Sequence, residues 1–262
     1  MSTIADGNRA VIEHFDRFAA TRNWSRLYGE ANGRNYHFHV RQQRVMDLLP
    51  QKLGRVVDLG CGPGVMVEAV LERGGAFDGI DLSPEMVREA IDKYGSRKGV
   101  TFREGNCERV ELPESDCDQV IAMGLIEYLL TPDTAFSEIS RILRPGGTAI
   151  ITMPKLWHVD RAAIGMTAPF RLIARAIGAG SADSLPRLCL QPAEMDTAAR
   201  RAGLVPDGGS HYDFTMLPYP FTRVAPDLAM RFNMRFERWH STRSALKSYF
   251  AHGYVGRYRK PS

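Results

Sequence analysis

The chain has 262 residues, of which 44% are hydrophobic and 24% are charged, and its formal net charge is +4. This composition is typical of a soluble globular protein rather than a disordered one, and no apolar run approaches the ~20 residues that cross a bilayer. The four cysteines lack the spacing of a metal site or a redox pair, so we expect reduced thiols and no metal. Because the first seven residues lack the apolar segment of a signal peptide, the expected location is cytoplasmic.

Two helices are predicted ahead of the first strand. Residues 8–20 place Val11 and Phe15 at helical spacing, and a second helical pattern covers residues 35–49. Tyr28 lies between the two helices, where it either packs in the core or faces a ligand.

A glycine-rich turn follows the first predicted strand, in the sequence VVDLGCGPG at residues 56–64. Glycines in such a turn let the backbone approach a bulky cofactor where a Cβ atom would not fit. A dinucleotide-binding fingerprint, G-x-G-x-x-G, would require glycine at position 65, which is Val65. The motif here is G-x-G-x-G, with Asp58 ahead of the first glycine, so another class of cofactor is favoured.

The second predicted strand, residues 76–81, ends in Asp81. A carboxylate at the end of this strand can accept hydrogen bonds from both ribose hydroxyls of an adenosyl group. Ser83 and Pro84 are typical of a helix N-cap and of the first helical position. A helix is therefore predicted directly after this corner.

Three further strands complete the predicted core. The third covers residues 100–104 and runs into Gly-Asn-Cys, and the fourth covers residues 118–123. The turn Leu-Arg-Pro-Gly-Gly at residues 143–147 precedes the fifth strand, residues 148–153.

Taken in order, these motifs resemble those of the class I S-adenosylmethionine (SAM)-dependent methyltransferases over about residues 50–155. The resemblance implies an α/β fold, with a Rossmann-like seven-stranded sheet and helices on both faces, and SAM as the cofactor. In that family an acidic side chain after the third strand takes the adenine amino group, and Asn106 could accept the same bond through its carbonyl oxygen. The residues predicted to bind SAM are Tyr28, Arg34, Asp58, Gly60, Cys61, Gly62, Gly64, Asp81, Leu82, Asn106, Cys107 and Met123.

The same resemblance implies a division of the chain into four segments. They are an N-terminal helical lid at residues 1–50, a SAM-binding core at 51–153, a helical substrate-cap insertion at 154–190, and a C-terminal completion of the sheet at 191–262. In the lid, Tyr28 and Arg34 are the candidates for contact with the methionine carboxylate or the acceptor. A helix is predicted at residues 169–177. Three roles are open for this helix: packing on the protein's own core, capping the acceptor, or resting on a membrane.

Basic residues are concentrated near the C-terminal end, where residues 223–260 contain nine Lys or Arg and two acids. A helix is predicted over residues 226–239. Its apolar stripe is Leu228, Phe232, Phe236 and Trp239, and the arginines beside the stripe are Arg231, Arg235 and Arg238. This pattern fits an anionic membrane surface or a phosphate-bearing ligand, or a helix docked on the core with its arginines in solvent. Nucleic acid is disfavoured, because no nucleic-acid-binding signature accompanies the helix.

Two residues are predicted to act in catalysis. Methyl transfer from a sulfonium is an in-line displacement, and a hydroxyl acceptor must also lose its proton. His158 is the candidate base, because in the family the loop after strand five commonly faces the transferred methyl, although an isolated histidine is more often structural. Glu127 lies in a Gly-Leu-Ile-Glu-Tyr segment that resembles the Leu-Glu-His segment of ubiquinone-type O-methyltransferases, with Tyr128 in the position of the histidine. Glu127 either contacts the reaction centre or caps the next helix.

The predicted function is methyl transfer from SAM to a small, apolar acceptor, at oxygen in preference to carbon or nitrogen. The acceptor is expected to be lipid-like or phosphate-bearing, and peripheral contact with an anionic membrane is compatible with the basic helix. The alternatives are a SAM-binding protein without turnover and a dinucleotide-dependent oxidoreductase, which the order of the motifs disfavours.

Overall fold

A computed structural model describes residues 2–21, 28, 35–129, 132–155, 185, 187–214, 225–241 and 251–262. Arg34, His158 and the helix predicted at residues 169–177 lie outside these ranges. The side chains of Phe236, Arg238 and Trp239 are also outside the description.

The elements predicted within these ranges are present, with shifted ends. The helices are α1 (Ser2–Thr21), α2 (Tyr36–Leu48), α3 (Val67–Leu71), α4 (Pro84–Tyr94), α5 (Pro132–Ile142), α6 (Pro192–Arg201) and α7 (Pro226–Ser241), with a 3₁₀ turn at Ile126–Tyr128. The strands are β1 (Arg55–Leu59), β2 (Ala76–Asp81), β3 (Val100–Glu104), β4 (Cys117–Ala122), β5 (Leu143–Pro154), β6 (Val205–Tyr212) and β7 (Gly253–Arg259).

The strands form one sheet in the order β3-β2-β1-β4-β5-β7-β6. Strands β1 to β5 are parallel to one another, and β7 lies antiparallel between β5 and β6. This confirms the predicted Rossmann-like seven-stranded sheet. The strand order reverses between β1 and β4, and ligands of open α/β sheets bind in the crevice at the carboxyl ends of the strands at such a point.

Both faces of the sheet are covered by helices. On one face, Val56, Ile121 and Ile150 pack with side chains from α2 and α3. On the other face, the next residues along the strands, such as Val57 and Val120, pack with α5 and α6. Because successive side chains of a strand point to opposite faces, a run of apolar residues buries both surfaces at once.

The helix start predicted after β2 is confirmed. Ser83 Oγ accepts a hydrogen bond from Met86 N at 3.2 Å, and Pro84 is the first helical residue. The side chain of the capping residue satisfies an amide that the helix leaves unpaired. This fixes the corner that carries Asp81 and Leu82.

The fifth strand begins earlier than predicted, at Leu143 rather than Thr148. Leu143 pairs with Cys117 and Thr148 pairs with Gln119, so the intervening residues of the Leu-Arg-Pro-Gly-Gly turn form an irregularity within one strand. Gly146 takes a positive φ of 78° there, which favours glycine.

Helix α7 packs on the protein through a face other than its apolar stripe. Its buried side chains are Ala229, Asn233 and Glu237, whereas Leu228 is 65% exposed and Phe232 is 47% exposed. The predicted stripe therefore faces outward at both residues. Within the described ranges, no helix combines the length and the hydropathy that crossing a membrane requires.

Hydrogen bonds of Glu237 account for the face on which α7 docks. Its carboxylate accepts from Tyr36 Oη at 3.0 Å, from Arg44 Nη2 at 3.0 Å and from Phe214 N at 3.2 Å. A buried carboxylate needs such partners, and α2 and the end of β6 supply them to this face of α7.

Candidate active site

The glycine turn after β1 has backbone conformations that favour glycine. Gly60, Gly62 and Gly64 have φ values of 67°, 51° and 75°. A Cβ atom on Gly60 would lie 3.0 Å from the side chain of Leu125, so the turn runs close to the loop after β4. Gly64 serves packing instead, because a Cβ atom there would meet Tyr94 at 3.0 Å.

At the end of β2, the Asp81 side chain accepts hydrogen bonds from backbone amides of two neighbouring turns. Its Oδ2 accepts from Gly62 N at 2.8 Å, and its Oδ1 accepts from Ser83 N at 2.9 Å. Burial raises the pKa of Asp81, and these backbone hydrogen bonds oppose the rise. The side chain is therefore oriented before any ligand binds.

Asp58 places a second carboxyl group beside the same cavity. It is 2% exposed, and burial together with the nearby charge of Asp81 raises its pKa well above the ordinary value. A cationic ligand between two carboxyl groups would relieve this repulsion. The cavity is therefore suited to a molecule that carries positive charge.

A first cavity opens at the carboxyl ends of β1, β2 and β4, where the strand order reverses. Ten of the twelve residues predicted to bind SAM line it; the other two are Gly64, which packs in the core, and Arg34, which lies outside the described residues. The ten are Tyr28, Asp58, Gly60, Cys61, Gly62, Asp81, Leu82, Asn106, Cys107 and Met123.

Helix α1 forms one wall of this cavity, through Val11 and Phe15. Phe15 meets Tyr128 edge-on, with ring centroids 5.1 Å apart. Ser83 Oγ donates to Asp16 Oδ1 at 2.5 Å, which ties α1 to the start of α4. The N-terminal helix thus lies over the predicted cofactor position, and its action as a lid stays a prediction.

Asn106 lies at the cavity, but its amide oxygen is already engaged. Oδ1 accepts from Glu108 N at 2.8 Å, within a turn that brings Asn106 beside Arg109. An amide oxygen has two lone pairs, so the predicted bond to an adenine amino group stays a prediction.

A second cavity, of about 420 Å³, adjoins the first. Its described lining residues are mostly charged or polar. They are His37, Arg41, Glu127, Pro154, Lys155, Leu185, Arg187, Cys189, Tyr212, Asp213 and His252. Arg41 lines both cavities, so its guanidinium lies at their junction.

Arg41 is a site residue that the sequence analysis missed. Its Nη2 donates to Tyr28 Oη at 2.8 Å, and its Nη1 lies 3.9 Å from Glu127 Oε1. Gly124 makes room for it, because a Cβ atom there would lie 2.7 Å from Nη1. One signal was available: a basic residue directly follows the buried Val40 of an amphipathic helix.

Glu127 lies at the junction on the side of the second cavity. It is 4% exposed, and its Oε2 has no hydrogen-bond partner among the described residues. Burial raises its pKa, while Arg41 and Arg187 lower it. Its backbone oxygen accepts a hydrogen bond from Leu188 N at 2.7 Å, which anchors the segment that carries Arg187.

The methyltransferase domain family matches residues 57–151, which contain the glycine turn, Asp81 and the Asn106 corner. Residues 57–151 thus carry a methyltransferase domain, and the seven-stranded sheet is consistent with the class I SAM-dependent type. It is 29% identical over 154 residues to a ubiquinone biosynthesis O-methyltransferase of Xanthomonas oryzae pv. oryzae, and the match covers 56% of this chain and 63% of the relative. The chain thus spans less than two thirds of that relative's length.

A second relative matches over more of its length. The ubiquinone biosynthesis O-methyltransferase of Xanthomonas axonopodis pv. citri is 28% identical over 209 residues, 78% of this chain and 84% of the relative. Among solved structures, a chain in the complex between the Haloferax volcanii Trm112 methyltransferase activator and a methyltransferase is similar in fold, with a TM-score of 0.65. It is 23% identical, and the match covers 95% of this chain and 98% of the other. The cofactor of the family is SAM, and the first cavity has a fitting set of residues.

Proposed function

We propose that this methyltransferase-family chain transfers a methyl group from SAM to an oxygen atom of a small acceptor in the second cavity. The observation that carries the proposal is the pair of adjoining cavities that share Arg41, one with carboxyl groups at a glycine turn and one with the buried Glu127. The similarity to O-methyltransferases supports oxygen as the acceptor atom.

The residues of the first cavity suit SAM in shape and charge. The glycine turn allows close approach of the backbone, and Asp81 can accept from ribose hydroxyls. Asp58 and Asp81 together favour the positive charge of the cofactor. When bound, SAM supplies a methyl carbon that the acceptor oxygen attacks in line, and the carbon–sulfur bond breaks with its electron pair left on sulfur.

In this proposal Glu127 removes the proton of the acceptor hydroxyl. Its Oε2 is a buried acceptor without a partner among the described residues, and its raised pKa makes it a stronger base than an exposed carboxylate. Arg41 orients it from 3.9 Å. The other predicted base, His158, lies outside the described residues and stays a prediction.

The proposed acceptor carries polar groups. The apolar acceptor expected from the sequence stays a prediction. The charged side chains around the second cavity argue for polar groups instead, because an apolar molecule would desolvate them without compensation.

We also propose that α7 touches an anionic membrane at its outward face. Leu228 and Phe232 are exposed there, and Arg231 and Arg235 are exposed beside them. Exposed apolar side chains next to arginines are suited to the interface of an anionic bilayer. The cytoplasmic location expected from the sequence stays a prediction.

The experiment that tests the proposed reaction combines binding and turnover. The chain is titrated by calorimetry with SAM, S-adenosylhomocysteine (SAH) and NADPH, and SAH formation is then measured with a panel of hydroxyl acceptors. We expect both sulfur compounds to bind and SAH to form. Nicotinamide binding alone would contradict the proposal, and SAM binding without SAH formation would favour a binding protein without turnover.

The substitution Glu127→Gln distinguishes a role in proton removal from a role in SAM binding. The substitution keeps the shape of the side chain and removes its basicity, so kcat should fall by roughly 10²–10⁴-fold, while the Kd for SAM stays near the wild-type value. Glu111→Gln, at an exposed loop residue, is the matched control. Unchanged kcat in Glu127→Gln would rule this residue out as the base.

A further inference from the structure

Three ionisable side chains of the second cavity are brought together by the ends of three adjacent strands. Lys155 follows β5, Asp213 follows β6, and His252 precedes β7. Lys155 N donates to His252 O at 2.8 Å, and His252 N donates to Asp213 O at 3.0 Å. The sheet itself therefore fixes this group, at a part of the second cavity that does not border the first.

The described lining of the second cavity has more cationic than anionic groups. Arg41, Lys155 and Arg187 face two carboxyl groups, those of Glu127 and Asp213. His37 adds no charge near neutral pH, because burial lowers its pKa to about 4.

Glu127 has a cationic neighbour, and Asp213 lies beside the imidazole ring of His252. Glu127 Oε1 lies 3.9 Å from Arg41 Nη1, and Asp213 Oδ1 lies 3.4 Å from Nδ1 of His252. A cavity whose described lining has more cationic than anionic groups is suited to a ligand with negative charge.

Of the three cations, Lys155 is the one whose charge is most costly to bury. It is only 2% exposed, and burial lowers its pKa, because an ammonium group loses hydration energy there. Arg187 is exposed and so lies at the opening of the cavity. An anion bound in this cavity would lie close to both cations.

Two buried polar atoms at the junction also indicate a ligand. Arg41 Nε and Glu127 Oε2 have no hydrogen-bond partner among the described residues. Buried donors and acceptors are rarely left unpaired in native proteins. A polar ligand that reaches the junction would supply partners to both atoms.

We infer that the acceptor carries an anionic group, a carboxylate or a phosphate, in addition to the hydroxyl that is methylated. Lys155 and Arg187 bind the anionic group, while Arg41 and Glu127 meet the hydroxyl end beside the cofactor. This inference rests on the proposed function, since it assigns the second cavity to the acceptor.

One anionic probe and two neutral probes test this inference. Calorimetry compares 3,4-dihydroxybenzoate, its neutral methyl ester and catechol, each titrated into the full chain with and without saturating SAH. Phenyl phosphate and benzoate, compared in the same way, distinguish a phosphate site from a carboxylate site. The titration with SAH alone is a separate readout of the proposed function.

We expect the dihydroxybenzoate anion to bind about tenfold more tightly than its ester, which corresponds to about 1.4 kcal/mol. Arg187→Gln should remove most of that preference, and Arg201→Gln, an arginine 62% exposed on α6, should leave it unchanged. Arg187 is exposed, so its substitution is not expected to prevent folding. Lys155→Met is a second variant, and its circular dichroism spectrum verifies that it is folded.

Equal affinity for the acid and the ester would overturn the inference, as would a preference that survives both Arg187→Gln and Lys155→Met. Failure of the acid to bind at millimolar concentration would also overturn it. If SAH binds and the acid preference is absent, only this inference fails. If SAH does not bind, the proposed function itself fails.

Discussion

Asp58 and Asp81 face one cavity from the neighbouring strands β1 and β2, and each has a different local environment. Asp81 is oriented by two backbone amides, whereas Asp58 is buried beside the charge of Asp81. Backbone donors stabilise an ionised carboxylate, and a like charge destabilises it. The two residues are therefore expected to contribute differently to cofactor binding.

Asp81→Ala should weaken SAM binding by about 1–3 kcal/mol, because a hydrogen-bonding charged group is lost from the proposed ribose site. Titration calorimetry measures the change. Asp92→Ala, at an exposed position of α4, is the control, and thermal unfolding of both variants tests whether the glycine turn is intact. Equal SAM affinity in Asp81→Ala and wild type would place the cofactor elsewhere.

SAM binding should become weaker as the pH falls. Burial and the Asp81 charge raise the pKa of Asp58, and the cationic cofactor favours the ionised carboxylate. Binding therefore releases a proton at pH values below the raised pKa, and affinity increases as the pH rises through it. SAH, which lacks the sulfonium charge, should show a smaller dependence.

The measurement for this pH effect is calorimetry in buffers of different ionisation enthalpy, which counts the released protons. Asp58→Asn cannot titrate at this position and should show a smaller dependence, with any remainder due to Asp81. A pH-independent Kd for SAM in the wild type would show that neither carboxyl group changes its protonation state on binding.

At the scale of the elements, α7 shows how a buried polar group can decide which face of a helix docks. Ala229, Asn233 and Glu237 share the buried face, and the apolar Leu228 and Phe232 point outward. Hydrogen bonds from Tyr36 and Arg44 to Glu237 hold the helix to α2. The outward apolar face is thus available for another contact.

Glu237→Ala should lower the free energy of unfolding by roughly 3–5 kcal/mol, because it leaves Arg44 without its buried partner and removes the acceptor of Phe214 N. Tyr36 keeps only its 3.3 Å hydrogen bond to Asn233 O. Urea unfolding monitored by circular dichroism gives the value. Glu111→Ala, at an exposed loop residue, should change stability little. A loss in Glu237→Ala no larger than this control would mean that the network does not hold α7.

Joint substitution of Arg231 and Arg235 by Gln should reduce binding to vesicles that contain phosphatidylglycerol. Each arginine near an anionic surface contributes about 1 kcal/mol, so the partition coefficient should fall by more than tenfold. Vesicle sedimentation measures it. The control is the double variant Arg88→Gln and Arg97→Gln, at two exposed arginines elsewhere. An equal loss of vesicle binding in the control would indicate a nonspecific effect of net charge. Unchanged vesicle binding in both double variants would contradict membrane contact.

At the scale of the whole molecule, the proposed reaction depends on where the two cavities meet. The strand order brings the ends of β1, β2 and β4 around the first cavity and the ends of β5, β6 and β7 around the second. Arg41 on α2 and Glu127 after β4 meet at the junction. Residues from distant parts of the chain therefore form the proposed reaction centre.

Half of the described residues that line the first cavity could be predicted from the sequence, because their signals are local. The glycine turn depends on positive φ values that favour glycine, and Asp81 and Ser83 lie at a strand end and a helix cap. Gly64 shows the limit of this reasoning. It has the same conformation as its neighbours, yet it packs against Tyr94 and does not line the cavity.

The sequence by itself thus determined the class of fold, the order of the strands' corner motifs and half of the described residues around the first cavity. The fold class follows from the resemblance of the ordered motifs to a known family, and the turns and caps follow from the conformations that neighbouring residues allow. Only the tertiary structure decided which face of α7 is buried, that Arg41 joins two cavities, and that Lys155 and Asp213 share one of them. These features depend on burial and on charge interactions between residues far apart in the chain, and such energies have no local signature in the sequence.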